Sequence, residues 1–457
     1  MPEIADALRA HRTRLAVWGL GYVGFSSLAS FAREGIRVMG TDVDSRRVDQ
    51  VNGAEGAGAL AHALPGIDDL VGFDVRSLVG EGSVTATSRW QDLAGAETAV
   101  HLIAVPTERD GRPWSPPLAD VLAKIFSFDL ATARRDPPLV IIESTLAASW
   151  FASVVGPLAA DHGVEIGTDV LLGVAPRRDW FGHPDLTLKR LPRVVGGTDR
   201  RSTEATTEVV GMVSDSVHVA RDHLQAALTK TVENAYRHLN ITFANELAEA
   251  FPEVNMREVL ELAGTKWNVE TYRPSLGIGG YCIPVAPQYV LDSAADTDVL
   301  GLLRHSIESE QLQPHRVADS IMSTGARSVG ILGISYRAGL RIHHSSPALR
   351  LGERLRSFGL DVRVHDPGYD AEAILDICGV EAFDFPAELR CFDVVVVSVG
   401  HSAYRIPYAH LVSSLRRDAV VIDNEGVWPD LPAHARGITY HQAGDPGWID
   451  NRTQFDA

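Results

Sequence analysis

The chain is 457 residues long, more than a single hydrophobic core usually serves, so two or three domains are expected. A composition of 45% hydrophobic and 22% charged residues reads as an ordinary globular protein, and a formal net charge of −17 argues against a nucleic-acid partner while leaving room for a local basic pocket around a small anion. Three cysteines are too few for a disulfide framework, no apolar run is long enough to span a membrane, and Met1 to Arg14 lacks the apolar core of a signal peptide, which together fit a reduced, cytoplasmic setting with no membrane partner.

In chain order, the first apolar run is Leu15-Ala16-Val17-Trp18, readable as a buried parallel strand. The turn Gly19-Leu20-Gly21-Tyr22-Val23-Gly24 follows at once, then a helix over Phe25 to Glu34, then a strand over Ile36 to Gly40 with Asp42 just beyond it. Strand, glycine turn, helix, strand and acid form the dinucleotide-binding fingerprint in its structural context. Gly19 permits the tight turn, Gly21 lets the backbone approach a pyrophosphate, and Gly24 lets the helix pack on the strand. The helix N-terminus offers free N–H groups to the phosphates. An acid at position 42 is suited to ribose hydroxyls, which favours NAD over NADP.

Further strands are expected over Ala99 to Val105, Leu139 to Ile142 and Val170 to Val174. They end at Thr107, Thr145 and Arg177, where such sheets hold their ligands. Asp222 to Ala250 reads as one long helix with a buried stripe of Leu224, Ala227, Leu228, Thr231, Val232 and Ala235, extended by Leu239, Phe243 and Leu247. Lys230 and Asn234 share a face of it by their i,i+4 spacing. Side by side they are suited to donate hydrogen bonds to one developing oxyanion, although a lysine on a helix is more often simply solvated. Cys282 follows in the loop Gly279-Gly280-Tyr281-Cys282-Ile283-Pro284.

A second α/β unit is expected beyond this. Its strands are Arg327 to Gly333, Val362 to Asp366, Phe392 to Ser398 and Ala419 to Asp423, with a helix over Pro347 to Phe358. The tail after Trp428 is rich in Pro, Asp, Gly and Arg and is expected to be irregular. No His or Cys set has metal-ligand spacing; His343-His344 reads as a loop pair, and Cys378 and Cys391 as packing residues.

The order of these motifs resembles the UDP-glucose/GDP-mannose dehydrogenase family of nucleotide-sugar 6-dehydrogenases. The matching pieces span nearly the whole chain. They are Gly19 to Gly24, Ala104-Val105-Pro106-Thr107, Glu143-Ser144-Thr145, Pro192 to Gly197, Lys230-Thr231-Val232-Glu233-Asn234, Phe243 to Leu247, Pro274 to Cys282, Gly333 to Arg337, Ser346-Pro347 and Asp366-Pro367. The resemblance implies two Rossmann-like doubly wound α/β domains joined by a long central helix. An NAD-binding domain over 1–205, a central dimerisation region over 206–315 and a nucleotide-substrate-binding domain over 316–457 are the boundaries expected.

What the resemblance further implies is a homodimer that oxidises the primary alcohol of a nucleotide-linked sugar to an acid, in two hydride transfers to NAD. Cys282 looks like the nucleophile that traps the aldehyde as a thiohemiacetal, later a thioester. Covalent capture of this kind divides a hard oxidation into two easier ones, and a neighbouring lysine would favour the thiolate. Lys230 and Asn234 look like the oxyanion pair, and Thr145 like the residue that positions water. Tyr22, Val23, Thr107, Asp42 and Arg47 match cofactor contacts, and Gly280 and Arg337 match substrate contacts.

Three positions depart from the family. Its Pro-Glu, whose glutamate assists thioester hydrolysis, is here Pro176-Arg177, with Asp179 nearby. Its aspartate four residues after the cysteine is here Ala286. Its arginine in the segment after Tyr336-Arg337 is here His344. General acid–base groups typically contribute about 10² to 10⁴ in rate, so the missing carboxylates bear on the endpoint. Two alternatives stand beside full oxidation. One is an enzyme that stops at the aldehyde, or accepts a different nucleotide-linked substrate, with Arg177 pairing to an extra carboxylate or phosphate. The other is a non-catalytic protein that binds NAD and nucleotide.

Overall fold

The computed structural model describes residues 3–56, 58–95, 97–128, 137–179, 186–434 and 437–449. The chain divides into two compact units, residues 1–233 with 288–295, and residues 234–287 with 296–457.

The first unit is built on strands β1 (Arg14–Trp18), β2 (Val38–Thr41), β3 (Ala86–Thr87), β4 (Thr98–Ile103), β7 (Leu139–Ile142), β8 (Leu171–Val174), β9 (Arg193–Gly197) and β10 (Val217–Val219). Between β4 and β7 lies a small hairpin, β5 (Glu108–Arg109) and β6 (Arg112–Pro113). The sheet order is β10-β9-β8-β7-β4-β1-β2-β3, parallel throughout except where β9 runs antiparallel to β8. The central strands are apolar runs without alternation, and every residue of β4, β7 and β8 is buried. That pattern belongs to a parallel sheet covered on both faces. Leu15, Val17, Phe25, Leu28, Val100, Leu102 and Ile141 lie in its core.

The strand order reverses at β1, which lies between β2 and β4. Ligands bind at such a switch point, beyond the carboxyl ends of the strands. The glycine turn leads from the end of β1 into the helix Tyr22–Arg33.

The second unit holds a five-stranded parallel sheet. Its strands are β11 (Ser328–Leu332), β12 (Asp361–His365), β13 (Val394–Val397), β14 (Val420–Asp423) and β15 (Thr439–Gln442), in the order β12-β11-β13-β14-β15. The order again reverses beside the first strand, and Gly333 follows β11 at φ +92°, much as Gly19 follows β1 at φ +88°. The two turns are also locked alike. The Leu20 N–H donates to the Asp42 carboxylate, and the Ile334 N–H to that of Asp366.

Two expectations are corrected. The tail is not irregular within the described residues, because Leu431–His434 forms a helical turn and Thr439–Gln442 joins the sheet parallel to β14. Four β-compatible residues, Thr439-Tyr440-His441-Gln442, suffice once a neighbouring strand edge supplies the hydrogen bonds.

The long helix is His223–Ala250, but its buried stripe is shifted. Leu224, Val232 and Phe243 are exposed, whereas Ala227, Lys230, Thr231, Ala235, His238, Thr242, Asn245 and Ala248 are buried. Small and polar side chains line the inward face, so apolar spacing alone misplaced it.

Candidate active site

The dinucleotide turn has the geometry its glycines require. A Cβ on Gly19 would lie 2.5 Å from the Ala104 carbonyl oxygen, and one on Gly24 would lie 1.8 Å from that of Gly19. Both contacts are with backbone, so no larger side chain fits. Gly21 differs, since a Cβ there meets nothing within 4 Å. It is the helix N-cap and makes no side-chain cap bond, which leaves the first-turn N–H groups without one. An anion fits this open, N–H-lined side.

Asp42 is held by two backbone donors, Leu20 N–H to Oδ2 at 2.6 Å and Asp44 N–H to Oδ1 at 2.9 Å. A carboxylate accepts further bonds through its remaining lone pairs, so ribose hydroxyls remain suitable partners. Arg47 Nη1 is buried and has no hydrogen-bond partner among the described residues, a donor for which a ligand oxygen would be an acceptor. The residues present thus fit a dinucleotide.

Thr107 and Thr145 are brought together. The Thr107 hydroxyl donates to the Thr145 carbonyl at 2.5 Å. Tyr289, on the helix Ala286–Ser293, donates its phenol to the Thr107 carbonyl at 2.5 Å and lies 3.1 Å from its hydroxyl. This tyrosine is 3% exposed and was missed, because a tyrosine on a short helix gives no sign of a partner 182 residues away.

Arg177 does not open onto a ligand. Only 2% of its side chain is exposed, and its guanidinium is directed into the first unit. Nε and Nη2 pair with Asp179 at 3.0 and 2.9 Å. Nη1 donates to the Val23 carbonyl at 2.9 Å and to Ser27 Oγ at 2.6 Å, and lies 3.5 Å from Glu143. Nη2 also donates to Ser26 Oγ at 2.8 Å. The expected contact with an extra substrate anion is therefore replaced by protein partners. Glu143 takes a second cation, Arg193, at 2.6 Å, and a bond from Ser27 Oγ at 2.5 Å. Burial works against the charge on Arg177, but Asp179 and Glu143 outweigh it and hold its pKa above the ordinary arginine value.

Lys230 is buried rather than solvated, and its ammonium donates to the backbone carbonyl of Arg177. Arg178 makes a forked ion pair with Glu233, one turn along the same helix.

In the second unit, Cys282 is exposed at the end of a tightly held loop. The Ser275 N–H donates to Asn245, the Leu276 N–H to Asn424, and the Ile278 N–H to Glu310 at 2.6 Å. Gly277, at φ +138°, has no room for a Cβ, which would lie 2.8 Å from Glu310 Oε1. The Gly280 N–H donates to the His344 carbonyl at 2.9 Å, and the Tyr281 and His344 rings stack at 4.2 Å. A Cβ on Gly280 would lie 3.2 Å from the ring of Tyr336, the neighbour of Arg337. The structure thus gathers Gly280, Cys282, the Tyr336-Arg337 turn and His344. Asn234 is half-buried on the long helix, and Ala286 is buried. Glu310 and Asn424 were missed, since nothing in their local sequence marks them as loop holders.

Among the described residues no helix is long and apolar enough to cross a membrane, and no group of three or more His, Cys, Asp or Glu residues could hold a metal ion.

Three models of the UDP-glucose/GDP-mannose dehydrogenase family match: its NAD binding domain over residues 13–213, its central domain over 224–309 and its UDP binding domain over 330–430. The chain is 28% identical over 435 residues to the NDP-N-acetyl-D-galactosaminuronic acid dehydrogenase of Ralstonia nicotianae, covering 91% of this chain and 96% of that protein. It is 25% identical over 430 residues to the UDP-N-acetyl-D-mannosamine dehydrogenase of Pyrococcus horikoshii, covering 92% and 97%. Among solved structures, the UDP-D-ManNAc dehydrogenase of Pyrococcus horikoshii superposes with a TM-score of 0.79 at 24% identity, covering 95% of this chain and 100% of that one. A UDP-glucose dehydrogenase from Pyrobaculum islandicum gives 0.78 at 22%, covering 95% and 98%.

Proposed function

This chain belongs to the UDP-glucose/GDP-mannose dehydrogenase family, and from that premise we propose that it oxidises the primary alcohol of a UDP-linked sugar to the uronic acid through a covalent bond to Cys282. It is an NAD-dependent nucleotide-sugar dehydrogenase. The names of its relatives point to an N-acetylated hexosamine as the sugar. The proposed division of labour is NAD binding over 1–205, dimerisation with the Lys and Cys loop over 206–315, and nucleotide binding over 316–457. The observation that carries the reading is the exposed Cys282, held at the end of a loop whose preceding backbone is fixed by Asn245, Asn424 and Glu310. A nucleophile presented on a rigid support is what covalent catalysis needs.

Bound NAD supplies the hydride acceptor for each oxidation. Gly21, Tyr22, Val23 and Gly24 would hold the pyrophosphate of NAD, and Asp42 and Arg47 its ribose. Tyr289 holds Thr107, whose hydroxyl in turn holds the Thr145 carbonyl, beyond the ends of β4 and β7. Cys282, as the thiolate left when its proton passes to water, attacks the aldehyde carbon: a C–S bond forms, and the carbonyl π pair moves to oxygen. Lys230 and Asn234 donate hydrogen bonds to that oxygen. After the second oxidation, water attacks the thioester near Thr145, and the C–S bond breaks to release the acid. Gly280, Arg337 and His344 meet the nucleotide substrate. Exposed Leu224, Val232, Tyr236 and Phe243 on the long helix support burial against a second copy in a homodimer.

A second reading is favoured by one observation. The family's water-activating glutamate is here Arg177, buried and paired, and its aspartate is the buried Ala286. An enzyme so altered halts at the aldehyde or passes the thioester to another nucleophile. The test is NADH absorbance with a panel of UDP- and GDP-sugars, with products identified by mass spectrometry. Two NADH per sugar and a uronic acid, both lost in Cys282→Ala, are expected. One NADH with a free aldehyde would establish the second reading instead. No NADH with any sugar, despite NAD binding, would refute both.

A further inference from the structure

Arg177 stands where the family carries a carboxylate, yet it neither faces solvent nor lacks partners. Its side chain reaches the helix that follows the glycine turn. It binds the carbonyl of Val23, in the first turn of Tyr22–Arg33, and the hydroxyls of Ser26 and Ser27 in the next. Both serines are almost wholly buried, an unusual pair for the inward face of a helix packed on a parallel sheet. Their hydroxyls are used fully. Ser27 accepts from Arg177 and donates to Glu143, and Ser26 accepts from Arg177 and donates to the Val23 carbonyl.

The main chain of the same residue points the other way. The Arg177 carbonyl accepts from the Lys230 ammonium, and Arg178 clamps Glu233 on the same helix while donating to the Pro192 carbonyl at 3.0 Å. Two adjacent residues therefore tie the dinucleotide turn to the turn of helix that bears Lys230. The cluster balances its charge, with Arg177 and Arg193 against Glu143 and Asp179, which is the condition for keeping ions buried.

We infer that Arg177 is a positioning residue that couples the dinucleotide-binding turn to Lys230, its guanidinium fixing the first two turns of helix Tyr22–Arg33 and its carbonyl fixing the lysine ammonium. The part concerning Lys230 rests on the catalytic reading above. The part concerning the cofactor turn does not. One ammonium N–H is held by the carbonyl, and the other two have no hydrogen-bond partner among the described residues and suit a substrate oxygen. A shift of the 176–178 segment moves both the surface that receives the pyrophosphate and the donor that meets the oxyanion. Misplacement of about 1 Å costs on the order of 10²-fold in rate when it affects reacting groups.

The experiment compares the full-length protein with Arg177→Lys, Ser27→Ala and Arg193→Lys. NAD affinity is measured by direct titration, kcat with the best sugar, and stability by thermal melting. Arg177→Lys keeps the charge but cannot span the same partners. It is expected to weaken NAD binding about tenfold or more and to lower kcat by a similar factor at saturating NAD. Ser27→Ala, a smaller change that guards against a failure to fold, is expected to weaken NAD binding in the same direction. Arg193→Lys disturbs Glu143 and the Ala175 carbonyl at the far side of the same cluster, and is expected to lower the melting temperature while weakening NAD binding less than Arg177→Lys does.

Wild-type NAD affinity in both Arg177→Lys and Ser27→Ala, with only the melting temperature reduced, would overturn the inference. So would weakened NAD binding with an unchanged kcat, because the link to Lys230 would then be absent. If no sugar is turned over even by the wild type, the catalytic reading fails, while the NAD titration still decides whether Arg177 fixes the turn.

Discussion

A single exchanged residue is meaningful only with its neighbours. By its resemblance to the family motif Pro-Glu, Arg177 stands at a carboxylate position, and the obvious reversal is Arg177→Glu. In this chain the new acid would lie beside Glu143 and Asp179, with Arg193 as the remaining cation of the cluster. Leaving buried charges uncompensated typically costs about 3–5 kcal/mol. Arg177→Glu is therefore expected to lose stability on that scale and to gain no hydrolytic activity, as read by urea unfolding and by uronic acid formation. A stable variant with faster acid release would show instead that the site still accommodates the family glutamate. At this scale the sequence did signal the departure. What it could not show was direction: Arg177 was read as a ligand contact because it follows a strand end, whereas Ser26, Ser27 and Asp179 draw it inward.

The elements show how a loop is held by a helix remote in sequence. Glu310, on the helix Gly301–Ser323, receives the Ile278 N–H and the guanidinium of Arg350 on one oxygen, while its other oxygen is buried and has no partner among the described residues. Burial pushes its pKa up to about 7, against the opposing pull of Arg350, the Ile278 N–H and Arg316. A raised carboxyl pKa means that the folded chain holds a proton which the unfolded chain releases near pH 4.5. This contribution to stability is complete below that pH and is lost as pH rises through about 7. On the order of 3 kcal/mol is the upper bound that such a shift implies. Glu310→Gln is expected to flatten the fall in stability between pH 5 and pH 8, measured by urea unfolding. An unchanged slope would assign the pH dependence to other groups. The helix Gly301–Ser323 was not among the elements read from the sequence, and a lone glutamate in it carries no local sign of a partner 32 residues away.

For the molecule as a whole, the two ligand classes can be separated by one glycine. Gly21 has room for a methyl group within the protein, so Gly21→Ala is expected to fold with little change in melting temperature and to lose most NAD affinity. Ligand at a hundred times its Kd stabilises a fold by about 2.7 kcal/mol. NAD is then expected to raise the melting temperature of the wild type but not of Gly21→Ala, while UDP raises both. Equal stabilisation of the two proteins by NAD would place the pyrophosphate elsewhere.

The sequence by itself determined the local features. These are the strand runs, the glycine turn with Asp42, the long helix and the order of motifs that names the family. Each depends on residues close together in the chain, where apolar periodicity and the conformational freedom of glycine are directly readable. Tertiary structure alone decided the rest. It buried Lys230, turned Arg177 inward, exposed Leu224, Val232 and Phe243, set Tyr289 on Thr107, and gave the tail a strand. The physical reason is common to all five. Whether a side chain or a backbone group, polar or apolar, is exposed, buried or paired depends on the atoms that packing brings against it, and those atoms come from residues far away in sequence.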